Sequence, residues 1–482
     1  MDKIMNSPNK YYFGNQSFDL NDLQEKEKLQ LRIKNLLLLR NVNFLFGNGA
    51  SLALGAPSIS SIKKFVEHLG KKFENSKTSE RYAYEKITKT MENDYESGYN
   101  FLVDFSNNLE SDIDFETALS ILSQITYTST KISINGNEHS DESINSSIKL
   151  IKGFIFYSCK NFIEKIDYPS LNAHKEFMRR ALLRQTGLPR LKIFTTNYDL
   201  IIEKCLDESG VFYFDGFVGS FEKRLRSESY NYDLYYPGEI TEGNVNRVDR
   251  VVQLYKLHGS LNWKRVHESS ENISGIKQEY PSDDQIGDLV IYPSTLKYGE
   301  TLGYPYSEMF RFLSASLFRP QTALFTFGYS FKDEHINRII YQALSIPTFN
   351  LIIVLPEGKE KNLEGEVINK ELARLIETVG SNRIIVISGG EIKNGELIGT
   401  GTFKGFVDQI MPDMEEMRVQ EKINDEIDKL FPKKDENGNK KLITTENQIE
   451  KDQIVELPNE EKPVTISKPS IVTTIKKIFT KS

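Results

Sequence analysis

The feature that most constrains this chain is a set of short, nearly unbroken apolar runs at residues 42–46, 191–194, 251–257, 289–292, 323–327, 351–355 and 384–387. A strand with one wet face alternates apolar and polar residues. A run with no polar phase suits a strand covered on both faces, as in a parallel sheet between helix layers. Two runs lead into helical spacing, with Ile62, Phe65, Val66, Leu69 and Phe73 after the first, and Ile336, Ile339, Ile340 and Ala343 after the fifth. Strand then helix, repeated, predicts an α/β fold with a doubly wound parallel sheet. At 482 residues and 39% hydrophobic, the chain has the apolar material to bury such a core.

A long interruption separates the first run from Leu191. Residues 75–185 carry helical spacing, as at Ile148, Ile151, Ile155 and Phe162, and again at Phe177 and Ala181. They predict a large helical domain inserted into a sheet domain over 41–412, with an exposed Ser/Asn/Glu-rich loop at 134–147. A smaller interruption over 215–248 is rich in tyrosine and charge, and residues 1–40 form an N-terminal segment. From residue 413 the character changes to a charged helix, then a Lys-, Glu-, Asn- and Pro-rich linker over 431–468. The chain ends in Ile471, Val472, Ile475, Ile478 and Phe479 at helical spacing, with Lys476, Lys477 and Lys481 on other faces. This amphipathic tail reads either as a frayed terminus or as a partner-docking helix.

Composition excludes several classes. Lys plus Arg number 61 against 68 Asp plus Glu, a net −7, which disfavours a protein that coats phosphate backbones. Two cysteines, Cys159 and Cys205, supply neither a disulfide framework nor a four-thiolate zinc site. The first twenty residues hold no apolar core of signal-peptide length. The longest early apolar run, 36–39, is far below the ~20 residues a membrane span needs. These features predict a soluble, cytoplasmic protein with no direct nucleic-acid or membrane binding.

Four clusters follow predicted strands, where open α/β sheets place their ligands. Gly47-Asn48-Gly49-Ala50-Ser51 offers small residues and amides suited to phosphate, although a tight turn needs the same glycines. Thr195-Thr196-Asn197-Tyr198-Asp199 presents an amide and a carboxylate together, while Thr and Asn also serve as ordinary helix caps. His258-Gly259-Ser260 puts a histidine at a strand's carboxyl end, where imidazole suits a general base near neutral pH. Of the other histidines, His68 lies on a polar helix side, His139 and His174 in polar surroundings, His267 in a charged loop, and His335 at a helix start. Gly328-Tyr329-Ser330-Phe331, with Asp333 beyond, could bind ribose or phosphate, or simply cap the next helix.

In this order the clusters resemble the sirtuin-like (silent information regulator) superfamily. Gly47 and Gly49 match the glycines of its Gly-Ala-Gly loop, Asn197 and Asp199 its Thr-Gln-Asn-Ile-Asp segment, His258 its His-Gly, and Gly328 and Ser330 its late Gly-Thr-Ser. The resemblance spans roughly residues 41–400 and implies a Rossmann-like sheet. The superfamily's deacylases carry a four-cysteine zinc ribbon and a Gly-Ile-Pro-Asp-Phe-Arg stretch. Here there are two cysteines and Gly55-Ala56-Pro57-Ser58-Ile59. The pattern Phe-Gly-x-Gly-Ala-Ser, Thr-Thr-Asn-Tyr-Asp, Lys-Leu-His-Gly-Ser and Gly-Tyr-Ser-Phe-x-Asp is similar to the bacterial sirtuin-like NAD hydrolases of antiphage defence.

That resemblance implies an NAD hydrolase giving nicotinamide and ADP-ribose, with NAD as substrate and no zinc. Asn197 would position the ribose or the attacking water, and His258 would act as general base. Asp199 would support the ribose region with Thr196 beside it. Gly47, Gly49, Ala50 and Ser51 would cradle the pyrophosphate, and Gly328 and Ser330 would contact the adenosine side. It further implies a homo-oligomer that depletes NAD in abortive infection. Its activator would be a separate protein such as a HerA-type motor ATPase, because no complete sensor domain follows residue 412. Two rivals stay open: an ADP-ribosyltransferase or deacylase using the same pocket, and a non-catalytic NAD or ADP-ribose sensor.

Overall fold

The apolar runs of the central sheet become strands buried on both faces. Every residue of Asn41–Phe46 and of Thr322–Phe327 is buried, and alternate side chains feed two cores. Phe44 and Phe46 join one with Phe177, Ile193, Phe325 and Phe403. Leu45 joins the other with Phe194, Leu324, Ile336 and Ile340. A computed structural model describes residues 7–14, 16–57, 61–74, 76–128, 131–134, 136–184, 187–236, 246–267, 274–281, 289–291, 305–357, 374, 382–393, 396–413 and 415. The expected linker and amphipathic tail, and nearly all of the expected charged helix from 413 onward, lie outside these residues.

Among the described residues, parallel strands lie in the order Ile384–Lys393, Phe349–Val354, Thr322–Phe327, Asn41–Phe46, Leu191–Thr195, Val251–Lys256 and Phe212–Phe214. The architecture is thus α/β, a largely parallel, Rossmann-like doubly wound sheet. The chain leaves Asn41–Phe46 toward Leu191–Thr195 and Val251–Lys256 on one side, and resumes with Thr322–Phe327 on the other. The reversal sits between Asn41–Phe46 and Thr322–Phe327, and a crevice outside the carboxyl ends is where such sheets bind ligands.

Helices cover both faces, each with a readable start and stripe. Asp333 caps Glu334–Ala343, which buries Ile336, Ile340 and Ala343. Thr402 caps Phe403–Gln409, which buries Phe403, Phe406 and Val407. Such capping oxygens satisfy amides that have no partner within the helix.

Residues 134–147, expected as an exposed loop, instead end strand Lys131–Ile134, form strand Asn137–Ser140 and open helix Asp141–Lys165, which buries Ile144, Ser146 and Ser147. Three larger placements also differ from the sequence expectation. The N-terminal segment is part of the sheet: Ser7–Phe13 pairs antiparallel with Ile384–Lys393, and Gln16–Asp19 pairs with Ser7–Phe13. Helix Leu23–Leu37 buries Leu29, Ile33 and Leu37 in the same core as Phe44. Of Ser7–Phe13 only Tyr11 is buried, so a strand near the sheet edge carries no apolar run to reveal it. The run at 289–292 instead places Leu289–Ile291 in a separate antiparallel sheet with Gly259–His267, Ser274–Gln278, Lys223–Leu225 and Phe217–Val218. Leu225, Trp263, Ile276 and Tyr306 pack together there.

The third difference concerns the helices before Leu191. Ile62–Gly70, Thr78–Asn107, Phe115–Thr128 and Asp141–Lys165 share a core that includes Phe65, Ile87, Phe101, Leu122, Leu150 and Phe154. Helix Asn172–Ala181 lies within the expected insertion but buries Phe177, Met178 and Ala181 in the sheet core. Helical spacing identifies a helix without saying which core its stripe faces. On that helix His174 is 3% exposed, its ring 4.4 Å from that of Phe403. The polar surroundings expected for it are replaced by a core, and burial pushes its pKa down to about 4. His139 is likewise buried, with Nε2 2.9 Å from Asp104 Oδ2 and an edge contact to Phe101.

Candidate functional site

The crevice is built from the ends of four adjacent strands. Asn41–Phe46 runs into Gly47–Ser51 and Thr322–Phe327 into Gly328–Asp333, and the two loops pack against each other. Gly47 N donates to Phe327 O at 2.9 Å and Gly49 N to Gly328 O at 3.0 Å. Gly328 has φ +58, and a Cβ there would lie 2.2 Å from the Ala50 nitrogen. A Cβ on Gly49 would meet the Gly328 Cα at 2.6 Å. The glycines are therefore fixed by contact of two backbones at the strand reversal.

This contact revises the expected amide cradle. Besides Gly47 and Gly49, Ala50 N donates to Gly47 O at 3.1 Å and Ser51 N to Asn48 O at 3.0 Å. The helix that follows, Gly49–Leu52, is a single turn. All four amides of the expected pyrophosphate loop are thus engaged within the chain. Ala50 and Ser51 are buried at 2% exposure each, while Ser330 on the opposite loop is exposed.

On the other side of Asn41–Phe46, Leu191–Thr195 delivers the Thr-Thr-Asn-Tyr-Asp segment. Thr196 N donates to Phe46 O at 3.0 Å, tying the segment to the glycine-loop strand. Asn197 is buried; its Nδ2 donates to Gly47 O at 3.3 Å and Ser51 Oγ at 3.2 Å. Its carbonyl oxygen, Oδ1, is buried and has no hydrogen-bond partner. A buried acceptor left unpaired costs about 1–3 kcal/mol, so Oδ1 is poised for a hydroxyl or water.

Asp199 sits deeper. Its Oδ1 accepts from Ile201 N at 3.1 Å, opening helix Ile201–Glu208, and its carboxylate takes a hydrogen bond from Ser51. Beneath it the buried Lys256 ammonium donates to the Asp199 carbonyl and pairs with Glu203 at 3.0 Å. Burial pushes the Asp199 and Glu203 carboxyls up, against the opposing pull of Lys256. Asp199 is therefore a foundation under Asn197, fixed by a cap and a buried cation.

Next along the sheet, Val251–Lys256 ends at His258. Its Nε2 lies 2.8 Å from Asp333 Oδ2, so a residue from one flank of the crevice meets a residue from the other across two intervening strands, about 14 Å of sheet. The other oxygen of Asp333 accepts from His335 N at 2.8 Å and Ile336 N at 3.0 Å. Burial favours the neutral acid, but the hydrogen bond and charge of His258, with the Ile336 amide, hold the Asp333 carboxyl below its ordinary range. An ionised Asp333 can only accept, so Nε2 carries a proton, and in the neutral tautomer of such a ring the lone pair lies on Nδ1.

Two contributors were not assigned by sequence reasoning. Asp333 was visible only as a residue beyond the late glycine loop. Glu116, on helix Phe115–Thr128, had no local signal at all. Its Oε1 accepts from Tyr198 Oη at 2.6 Å and lies 4.0 Å from His258 Nδ1. Enclosure pushes its carboxyl up, with Asp114 adding to that and His258 opposing it. Tyr198 stands between Asn197 and Asp199, so one glutamate oxygen joins the segments that carry the amide and the imidazole.

The structure thus brings Gly47, Gly49, Ala50, Ser51, Thr196, Asn197, Asp199, His258 and Gly328 to one end of the sheet. Cys159 and Cys205 are both buried, on different helices. Among the described residues no helix is long and apolar enough to cross a membrane, and no group of three or more His, Cys, Asp or Glu could hold a metal ion. No curated protein matches the chain. Residues 191–376 match the family model of the SIR2-like domain, which takes in Asn197, Asp199, His258, Gly328, Ser330 and Asp333. The Gly47–Ser51 loop lies before that match and joins the site through its neighbouring strand. The chain thus carries a SIR2-like domain over residues 191–376, a domain type that implies NAD-related catalysis in general.

Proposed function

We propose that the crevice hydrolyses the nicotinamide–ribose bond of NAD. The observation that carries this reading is the pairing of chemistries at adjacent strand ends: a buried, unpartnered amide oxygen on Asn197, and an imidazole whose Nε2 is tied to Asp333. Cleavage of the C1′–nitrogen bond sends its electron pair onto the cationic nicotinamide nitrogen, so the leaving group needs no acid. The sugar left behind is oxocarbenium-like, and what it needs is an oriented nucleophile. Asn197 Oδ1 would accept a hydrogen bond from the attacking water or a ribose hydroxyl. As the water oxygen bonds to C1′, its proton passes to His258 Nδ1, and Asp333 holds the resulting imidazolium. Ser51 would keep Asn197 and Asp199 in register beneath the substrate.

This hydrolysis draws on no four-thiolate zinc site, since the chain has two cysteines. By resemblance to the antiphage NAD hydrolases, the chain would act as a homo-oligomer in the cytoplasm. A separate protein such as a HerA-type motor ATPase would release it, and NAD loss would then arrest the infected cell. The test is release of nicotinamide and ADP-ribose from NAD by the purified chain, alone and with such a partner. Asn197→Ala and His258→Ala are each expected to lower turnover by at least ~100-fold. ADP-ribose left on an acceptor would point to transfer instead, and NAD binding without turnover in every condition would point to a sensor.

A further inference from the structure

We propose that Glu116 is a positioning residue for His258, supplied to the NAD site by the helical unit. The proposal rests on the hydrolase reading above and deepens it. Helix Phe115–Thr128 belongs to the helical core through Phe115, Ala118, Leu119 and Leu122, yet its glutamate turns out of that core toward the crevice. There Tyr198 Oη donates to Oε1 at 2.6 Å, a short bond that fixes the carboxyl. The same oxygen stands 4.0 Å from His258 Nδ1, the nitrogen opposite the one held by Asp333. The imidazole therefore has a carboxyl on each side, and a proton arriving at Nδ1 places positive charge between them.

The Glu116 side chain is partly buried, about a quarter exposed, beside the buried His258. The groups that face this pair are Asp114 and Tyr198 around Glu116, and Asp333 with His335 behind it around His258. Asp199, Glu203 and Lys256 form a separate buried set below. Enclosure disfavours the charged form of Glu116, and Asp114 disfavours it further. The sign follows: with its carboxyl raised in the folded chain, Glu116 costs no stability below its unfolded value near pH 4.5, and costs progressively more as pH rises. Glu116→Gln keeps the shape and an acceptor for Tyr198 while removing that cost.

The experiment compares the full chain with Glu116→Gln and Tyr198→Phe, measuring kcat and KM for NAD and thermal midpoints from pH 5 to 8. Glu116→Gln is expected to lower kcat by about tenfold or more with KM within about twofold, and to leave the midpoint at pH 8 equal to or above that of the parent. Tyr198→Phe, which keeps the carboxylate but frees it, is expected to lower kcat by a smaller factor. An unchanged kcat in Glu116→Gln overturns the proposal, as does a kcat loss that merely tracks a lowered midpoint. If the parent chain shows no turnover with or without its activator, the hydrolase reading fails. The His258 imidazole then still decides the role of Glu116: an NMR titration midpoint of His258 that shifts in Glu116→Gln upholds the proposal, and one that does not move overturns it.

Discussion

Asp333 performs two tasks with two oxygens, and Asp333→Asn separates them. One oxygen caps helix Glu334–Ala343 through the His335 and Ile336 amides at 2.8 and 3.0 Å. Asparagine caps about as well as aspartate, so this task survives. What the cap loses is the favourable charge at the helix N-terminus, about 0.3–1 kcal/mol. The other oxygen receives His258 Nε2 at 2.8 Å. In the variant an amide NH₂ can take that position and donate, which moves the imidazole proton to Nδ1 and removes the lone pair that the proposed hydrolysis uses. By analogy with loss of the orienting acid in a hydrolase triad, turnover is expected to fall by about 10²–10⁴, or about 3–5 kcal/mol of barrier. Asp333→Ala removes cap and tether together, and should lose a further ~1 kcal/mol of stability. The assay is nicotinamide release beside thermal unfolding. A variant with turnover within about threefold of the parent would refute the assignment of His258 as a base oriented by Asp333. The pH sense is also fixed: a carboxyl lowered in the folded chain contributes stability above its unfolded value near pH 4 and loses it as pH falls through the folded value.

Other consequences are as specific. Gly328→Ala combines a left-handed backbone with a Cβ 2.2 Å from the Ala50 nitrogen. About 2–5 kcal/mol of destabilisation is expected, read as a drop in denaturation midpoint. His174 is held neutral by burial, with a pKa pushed down to about 4. Its contribution to stability is present above its unfolded value near 6.5 and is lost as pH falls toward 4, up to about 3 kcal/mol. His174→Phe should flatten that part of the stability profile; an unchanged slope would show that His174 is solvated.

Much of the sheet could be read before any fold was known, because burial on both faces leaves a mark that is local in sequence. The runs at 42–46, 191–194, 251–257, 323–327, 351–355 and 384–387 mark strands of the central sheet, with Leu257 and Leu355 just past their ends. The run at 289–292 carries the same mark, and only pairing could assign Leu289–Ile291 to the antiparallel sheet. Ser7–Phe13 lacks the mark, since a strand with one buried side chain is held by backbone pairing that residue type does not encode. Glycine loops were legible too, but their reason was not: the amides of Gly47, Gly49, Ala50 and Ser51 serve the chain itself, and the close approach is to Gly328.

At the site the division is sharper. The sequence alone determined that Asn197 and His258 stand at strand ends, because a polar residue ending an apolar run is a one-dimensional fact. Only the tertiary structure decided what surrounds them. Asp333 is 75 residues from His258 and Glu116 is 82 residues from Tyr198 in the chain. Their meeting depends on strand order and on where a helical unit's core turns one side chain outward. Hydrogen bonds of about 2.6–2.9 Å form between whichever groups the packing of apolar cores brings together. The cores can be read from periodicity, but the contacts they impose on a histidine two strands away cannot.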